Sequence, residues 1–155
     1  MPNRNANKTM SSGEKIIDIL LVEDSETDAE LTLEALKQGK LQNTVSHVKD
    51  GEEALQYLHR EGEYADVPRP DLILLDLNMP KLDGREVLKR IREDEELNVI
   101  PVVVLTTSSS DKDILESYGL AANSYIVKPV DLQSFFDVIK EINNFWVRVV
   151  VLPPK

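Results

Sequence analysis

Three short runs of aliphatic residues, each followed by polar residues, form the clearest pattern along the chain. They cover residues 16–22, 72–75 and 100–106. Because the runs are almost continuously apolar rather than alternating, they are typical of strands buried on both faces of a parallel sheet. Two weaker strands are expected at 43–48 and 124–127.

Segments with helical spacing of apolar residues follow these strands. Each begins at or near a residue that commonly caps a helix, namely Ser25, Asp50, Asp83, Ser110 and Asp131. Ser25 with Asp28 resembles a capping box, and Gly39 is a typical helix end. The predicted apolar stripes, helix by helix, are Ala29, Leu33 and Leu36; Ala54, Leu55 and Leu58; Val87, Leu88 and Ile91; Ile114, Leu115 and Tyr118; and Phe135, Ile139, Ile142 and Trp146.

This alternation predicts an α/β fold with a doubly wound, five-stranded parallel sheet of the flavodoxin-like (βα)5 type. Right-handed crossovers place helices on both faces, and strand order 2-1-3-4-5 is the compact solution. In that order, ligands bind beyond the carboxyl ends of strands 1 and 3. We expect one domain at 15–146, a disordered segment at 1–14, and a tail at 147–155 that either packs on the domain or forms an interface.

Composition narrows the possible functions. The 155 residues carry a formal net charge of -10, which disfavours direct binding to nucleic acid because such proteins need a basic surface. The absence of cysteine excludes disulfides and thiolate metal sites. No apolar run has the length of a membrane span, and the amino terminus does not resemble a signal peptide. We therefore expect a cytoplasmic protein.

Chemistry-bearing side chains stand at the carboxyl ends of the predicted strands. These residues are Glu23 and Asp24 after strand 1, Asp76 after strand 3, Thr106 and Thr107 after strand 4, and Lys128 after strand 5. Parallel strands end at one edge of a sheet, so the six side chains are expected to converge. Lys128 precedes a proline, which favours extended geometry and allows a cis peptide bond.

The three acids predict a metal site. Carboxylates held close together raise one another's pKa unless a cation compensates, and Mg²⁺ suits oxygen ligands of this kind. With Mg²⁺ bound, the Asp76 carboxylate becomes a plausible nucleophile toward a phosphoryl group, with Lys128 neutralising charge and Thr106 donating its hydroxyl. Taken singly, each of these residues is also typical of a structural role, as a helix cap, a strand residue or a surface charge.

The chain resembles the response-regulator receiver domains of two-component signalling. The segments that carry the resemblance are LLVEDS at 20–25, LILLDLNMPKLDG at 72–84, VVVLTTS at 102–108 and YIVKP at 125–129. Their order and spacing match over residues 16–145. The resemblance implies that Asp76 accepts a phosphoryl group from a histidine kinase and dephosphorylates slowly by itself.

The resemblance also implies roles for the neighbouring residues. Glu23, Asp24, Asp76 and the main-chain carbonyl of Asn78 would hold Mg²⁺, and Thr106 and Lys128 would contact the phosphoryl group, as would Asn78 and Thr107. Thr106 and Tyr125 would act as switch residues, although a tyrosine in an edge strand is ordinarily a packing residue. His47 and His59 are expected to lie away from the cluster in structural or surface roles.

A closer resemblance links the chain to the single-domain response regulators that partner phytochrome histidine kinases in cyanobacteria. The segment at 62–88, IPVVVLTTS at 100–108 and FWVRVVVLPP at 145–154 carry it. It implies a phytochrome as the partner kinase and output through protein contacts. A homodimer through helix 4, strand 5, helix 5 and the tail is one such contact.

Two other functions remain open at this point. The first is an aspartyl-phosphate hydrolase of the haloacid dehalogenase type, which needs a second acid two residues after the nucleophile. That position is Asn78, so an acid/base residue is missing. The second is a binding module that keeps the fold without being phosphorylated. Loss of Asp24, Asp76 or Lys128 would indicate it, and all three residues are present.

Overall fold

The computed structural model describes residues 16–39, 42–79 and 82–141 and contains a five-stranded sheet with helices on both faces. The strands are β1 Ile17–Val22, β2 Asn43–Val48, β3 Leu72–Asp76, β4 Val102–Thr106 and β5 Ser124–Val127. The helices are α1 Glu26–Gln38, α2 Gly51–Leu58, α3 Gly84–Glu93, α4 Asp111–Ser117 and α5 Leu132–Glu141. A short 3-10 helix, Gly62–Tyr64, lies in the polar connection before β3.

All neighbouring strands are parallel, and their order is β2-β1-β3-β4-β5, which confirms the predicted topology. Successive residues of β3 enter different cores because side chains alternate along a strand. Ile73 and Leu75 pack with residues of α2 and α3, whereas Leu72 and Leu74 pack with residues of α1 and α5. The sheet is therefore covered on both faces, which explains the continuous apolar runs.

Four of the five predicted helix caps accept backbone hydrogen bonds at the start of their helices, namely Ser25, Asp50, Asp83 and Asp131, whereas the side chain of Ser110 makes no such bond. Ser25 accepts a hydrogen bond from the backbone N–H of Asp28, and Asp50 accepts one from that of Glu53. Asp83 accepts from two backbone N–H groups at the start of α3. Each cap satisfies a donor that has no partner within the helix.

Three details differ from the sequence-based expectations. The strand predicted from residue 100 begins at Val102, because Pro101 lacks the N–H that a central strand would donate. The capping box at Ser25 is only half formed, since the carboxylate of Asp28 binds Lys128 instead. In the short helix α4, Leu115 alone of the predicted stripe is buried, whereas Ile114 and Tyr118 are 42% and 72% exposed.

Predictions for 1–14, for the tail at 147–155, and for Ile142 and Trp146 lie outside the described residues, as does the domain boundary at 15–146 at both ends. Among the residues that are described, the helices are too short or too polar to cross a membrane.

Candidate functional site

Three acidic side chains meet where β1 and β3 end. Glu23, Asp24 and Asp76 each offer a carboxylate oxygen, and these oxygens lie within 4.8 Å of one another. The backbone holds them in register: the N–H of Glu23 donates to Val48 (3.0 Å), and that of Leu77 donates to Leu105 (3.0 Å). Glu23 and Asp76 are buried, and Asp24 is exposed, so the cluster opens to solvent on one side.

Lys128 supplies the positive charge of this cluster. Its Nζ lies 2.7 Å from Glu23 Oε1 and 3.3 Å from Asp76 Oδ1. Its backbone N–H donates to the carbonyl of Thr106 (2.8 Å), so β4 positions the residue that follows β5. The Lys128–Pro129 peptide bond is cis, as the sequence allowed.

Asp28 is a member of the site that the sequence analysis missed. Its Oδ2 accepts a hydrogen bond from Lys128 Nζ at 3.1 Å, although the two residues are 100 positions apart. The ammonium group thus has three carboxylate neighbours, which matches its three N–H donors. The only sequence signal was an acid in the first turn of α1, which is equally typical of a helix start.

The surroundings of Asp76 and Lys128 raise the pKa values of both groups. Burial first, then the hydrogen bond and negative charge of Glu23, raise the pKa of Asp76 to about 7, and Lys128 only partly offsets this. Burial lowers the pKa of Lys128, but its hydrogen bond to Glu23, the charge of Asp76 and the hydrogen bond to Asp28 together hold it above the ordinary value. Lys128 therefore stays charged, while Asp76 titrates near neutral pH.

Described residues on either side of positions 80–81, between β3 and α3, lie close to Asp76. The backbone N–H of Asn78 donates to Asp76 Oδ1 (3.3 Å), and the Asn78 side chain is exposed. The N–H of Gly84 donates to the Leu77 carbonyl (3.1 Å), which closes the loop. A Cβ at Gly84 would lie 2.4 Å from the Asp76 carbonyl oxygen, so only glycine fits there.

The hydroxyl of Thr106 is directed toward α4. Thr106 is buried at the end of β4, and its Oγ1 donates to the carboxylate of Asp111 and lies 3.0 Å from the carbonyl oxygen of Ser108. In the part of the chain that the structure describes, no hydrogen bond joins Thr106 to Asp76. Thr107 is exposed.

Tyr125 is half-buried in the edge strand β5, and its hydroxyl accepts a hydrogen bond from the N–H of Ala122 (3.3 Å). Lys112 Nζ lies 6.0 Å from the centre of the ring. The structure thus brings Glu23, Asp24, Asp76 and Lys128 together, and it leaves the Tyr125 hydroxyl engaged with the loop before β5.

The expectation that both histidines lie away from the cluster is wrong for His47. Its Nε2 lies 2.7 Å from the main-chain carbonyl oxygen of Glu23, because β2 pairs with β1 and brings the side chain to the end of that strand. His59 is remote and lies 3.2 Å from Asp94. His47 therefore supports the backbone that carries the acidic cluster.

The donor set fits a hard divalent cation. Glu23, Asp28 and Asp76 contact the Lys128 ammonium group, and Asp24 adds a fourth carboxylate beside Glu23 and Asp76, so the site has excess negative charge. Carboxylate oxygens of this kind, with an opening for water at Asp24, are the ligands that Mg²⁺ takes in proteins. Burial first, and then the hydrogen bond and negative charge of Glu23, raise the pKa of Asp76, so a cation beside this carboxylate would favour its ionised form.

Comparison with known proteins identifies the family. The family model described as "Response regulator receiver domain" matches residues 19–140. The chain belongs to this family. Receiver domains bind Mg²⁺ or Mn²⁺ at an acidic pocket, and in this chain Glu23, Asp24 and Asp76 form such an acidic group.

Three relatives support the assignment to this receiver family. Response regulator Rcp1 of Synechocystis sp. is 47% identical over 135 residues, which are 87% of this chain and 92% of Rcp1. The phosphorylated cyanobacterial phytochrome response regulator RcpA is 50% identical with a TM-score of 0.71, covering 90% of this chain and 99% of RcpA. The bacteriophytochrome response regulator RtBRR is 46% identical with a TM-score of 0.80, covering 90% and 84%.

A solved structure of response regulator Rcp1 is the Mn²⁺-bound form. It is 46% identical with a TM-score of 0.69, and the match covers 89% of this chain and 99% of that one. The chain is therefore a two-component response-regulator receiver domain related to phytochrome response regulators.

Proposed function

We propose that this receiver accepts a phosphoryl group on Asp76 from a histidine kinase in a Mg²⁺-dependent reaction. The observation that carries the proposal is the placement of Asp76. It lies buried at the end of β3, within 4.8 Å of two further acids and 3.3 Å from the Lys128 ammonium. A carboxylate in such a site is kept from bulk water and has both a metal site and a fixed cation beside it.

Each neighbouring residue has a proposed part in the transfer. Glu23, Asp24, Asp76 and the Asn78 main-chain carbonyl would hold Mg²⁺, which when bound would neutralise charge on the phosphoryl oxygens. A carboxylate oxygen of Asp76 forms the new P–O bond as the P–N bond to the kinase histidine breaks. Lys128 balances the added negative charge. Thr106, Thr107 and Asn78 are the proposed further contacts to the phosphoryl group.

The direct test uses a small phosphodonor. Incubation with Mg²⁺ and acetyl phosphate should add one phosphoryl group, measured by intact mass under conditions that preserve acyl phosphates. Asp76→Asn should acquire none, whereas Glu34→Gln, an exposed acid on α1, should behave as the wild type. Phosphorylation of the Asp76→Asn protein would contradict the assignment.

We propose a phytochrome as the partner kinase. RcpA is a phytochrome response regulator by name and is 50% identical to this chain, and RtBRR is a bacteriophytochrome response regulator. Phosphotransfer profiling against the histidine kinases of the source organism would test this. Faster transfer from a phytochrome than from the other kinases is expected, and preferential transfer from an unrelated kinase would exclude it.

The identity of residue 78, an asparagine, favours slow self-dephosphorylation over the turnover of substrates. Asparagine stands where a hydrolase of the haloacid dehalogenase type has its second acid, so no carboxylate there can transfer the proton. Multiple-turnover release of phosphate from aryl phosphates would favour the hydrolase. A chain that binds its partner equally well with and without phosphorylation would favour the binding module.

We propose protein contacts as the output, most simply a homodimer through α4, β5 and α5. On these elements Ile114 of α4 and Val127 of β5 are 42% and 47% exposed, and Tyr118, directly after α4, is 72% exposed. Exposed apolar groups that lie together commonly mark an interface. Ile114→Glu should lower the molar mass measured by light scattering, whereas Leu31→Glu, which changes an exposed leucine on α1, should not.

A further inference from the structure

In the unphosphorylated protein, the hydroxyl of Thr106 already donates its proton to a carboxylate. It donates to the carboxylate of Asp111, the first residue of α4. The backbone N–H of Ser108 in turn donates to Thr106 Oγ1 at 3.1 Å, which fixes the orientation of the oxygen. Thr106 is 1% exposed, so no water competes freely for these positions.

Asp111 has few alternatives to this bond. Within the described residues, Thr106 is the side chain that its carboxylate contacts, and the Asp111 backbone N–H is taken by Ser108 (3.2 Å). Hydrogen bonds to an ionised acceptor are stronger than those between neutral groups. The neighbouring acid of the same helical turn, Asp113, is exposed and makes no such contact.

We propose that Asp111 is a positioning residue that holds the Thr106 hydroxyl away from Asp76 and so opposes the phosphorylated conformation. The inference rests on the function proposed above. A hydroxyl has one proton and cannot donate to Asp111 and to a phosphoryl oxygen at the same time. Phosphorylation must therefore break the bond to Asp111, and the free energy of that bond opposes the shift to the phosphorylated conformation.

The same bond links the phosphorylation site to α4. When Thr106 turns toward Asp76, the carboxylate of Asp111 loses its donor while the nearby site gains negative charge. Both effects favour movement of Asp111 away from β4. Because Asp111 begins α4, that movement displaces the helix that carries the exposed Ile114 and Tyr118.

The test uses beryllium fluoride, a phosphoryl mimic, at saturating Mg²⁺ with the full chain, and measures its affinity by ¹⁹F NMR. Asp111→Ala should bind beryllium fluoride roughly tenfold more tightly than the wild type, which is a typical coupling between sites. Asp111→Asn preserves the size of the residue but removes its charge, so it should fall between the two. The affinity for Mg²⁺ alone should stay within about twofold, and Asp113→Asn should match the wild type.

A double-mutant cycle separates this role from a general effect of negative charge. In the Thr106→Val background there is no hydroxyl proton to hold, so Asp111→Ala should leave the affinity unchanged. An equal gain with and without the Thr106 hydroxyl would overturn the proposal. The proposal would also be overturned if the folded variants Asp111→Asn and Asp111→Ala both bound beryllium fluoride with the affinity of the wild type. A wild type that binds no beryllium fluoride would instead refute the proposed function, and the role of Asp111 with it.

Discussion

At the scale of single residues, the site is a balance between buried acids and one ammonium group. Glu23 and Asp76 are 0% and 2% exposed, so without a metal their negative charges are balanced mainly by Lys128. Asp28 is more exposed, so water weakens its electrostatic interaction with Lys128 more than it weakens those of Glu23 and Asp76. The residues of the cluster should therefore differ widely in how much their removal changes stability.

Removing the charge of Asp76 should stabilise the metal-free protein. The pKa of this carboxyl is raised to about 7, against about 3.9 in an unfolded chain. Between these pH values the folded protein keeps a proton that the unfolded chain has released, so its free energy of unfolding falls as pH rises through this window. In EDTA, Asp76→Asn should be more stable than the wild type by on the order of 2 kcal/mol at pH 8.

The pH dependence checks the cause of that difference. Urea unfolding of both proteins from pH 8 to pH 4 should show the gap closing as the wild-type carboxyl takes up its proton. Glu34→Gln serves as the control for loss of an exposed acid. A gap that stays constant with pH would show that repulsion of the ionised carboxylate is not its source.

Removing Lys128 should have the opposite effect. Lys128→Met leaves Glu23 and Asp76 buried without their cation, and breaking a buried pair in this way costs about 3 to 5 kcal/mol. Part of the loss should return on addition of Mg²⁺, since the metal supplies the missing charge. Lys49→Met breaks the exposed pair with Glu26 (3.4 Å) and should cost less than about 1 kcal/mol. Urea unfolding with and without Mg²⁺ would measure both.

At the scale of secondary-structure elements, tight loops set the position of the reactive side chains. The connection from β3 to α3 brings the backbone of Gly84 against that of Asp76 and Leu77. Asp83 then caps α3 through the backbone N–H groups of Arg85 and Glu86. The geometry of Asp76 is thus coupled to the start of the following helix.

A single methyl group at Gly84 should disturb this coupling. In Gly84→Ala the new Cβ would meet backbone atoms at 2.4 Å and 2.7 Å, which cannot move aside as a side chain can. We expect a loss of stability of about 1 to 3 kcal/mol, typical of overpacking, together with slower phosphorylation by acetyl phosphate. Arg85→Ala, at the exposed next position, should change the unfolding free energy by less than about 0.5 kcal/mol.

The elements were more predictable than the side-chain partners. The bounds 43–48 and 124–127 match β2 and β5, although both segments are less apolar than the three aliphatic runs. The contact of Lys128 with Asp28 has no local signal, because it depends on how two distant connections meet. The bond between Thr106 and Asp111 spans five residues, but it is set by side-chain rotamers that a sequence pattern does not encode.

At the scale of the whole molecule, the parallel sheet separates two kinds of connection. Connections that follow strands lie at the carboxyl edge and carry Asp24, Thr107 and Lys128, next to Asp76 at the end of β3. Connections that follow helices lie at the other edge. The longest of these contains Gly62, which has a φ of +56° and open space around the position of a Cβ.

A flexible insertion should therefore be tolerated at one edge and not at the other. An eight-residue Gly-Ser segment between Glu61 and Gly62 should change Mg²⁺ affinity and phosphorylation by less than about twofold, because lengthening a surface loop costs little. The same segment between Thr107 and Ser108 should abolish the coupling between Thr106 and α4. Phosphorylation kinetics and beryllium fluoride affinity of both proteins would test this, and equal behaviour would contradict it.

The placement of Gly62 has a consequence for how such a protein can be connected to others. New termini, fused domains or reporter modules at the helix-to-strand edge should leave the acidic cluster at the opposite edge undisturbed. Fusion partners can therefore be attached at one edge of the sheet without changing the acidic site at the other edge.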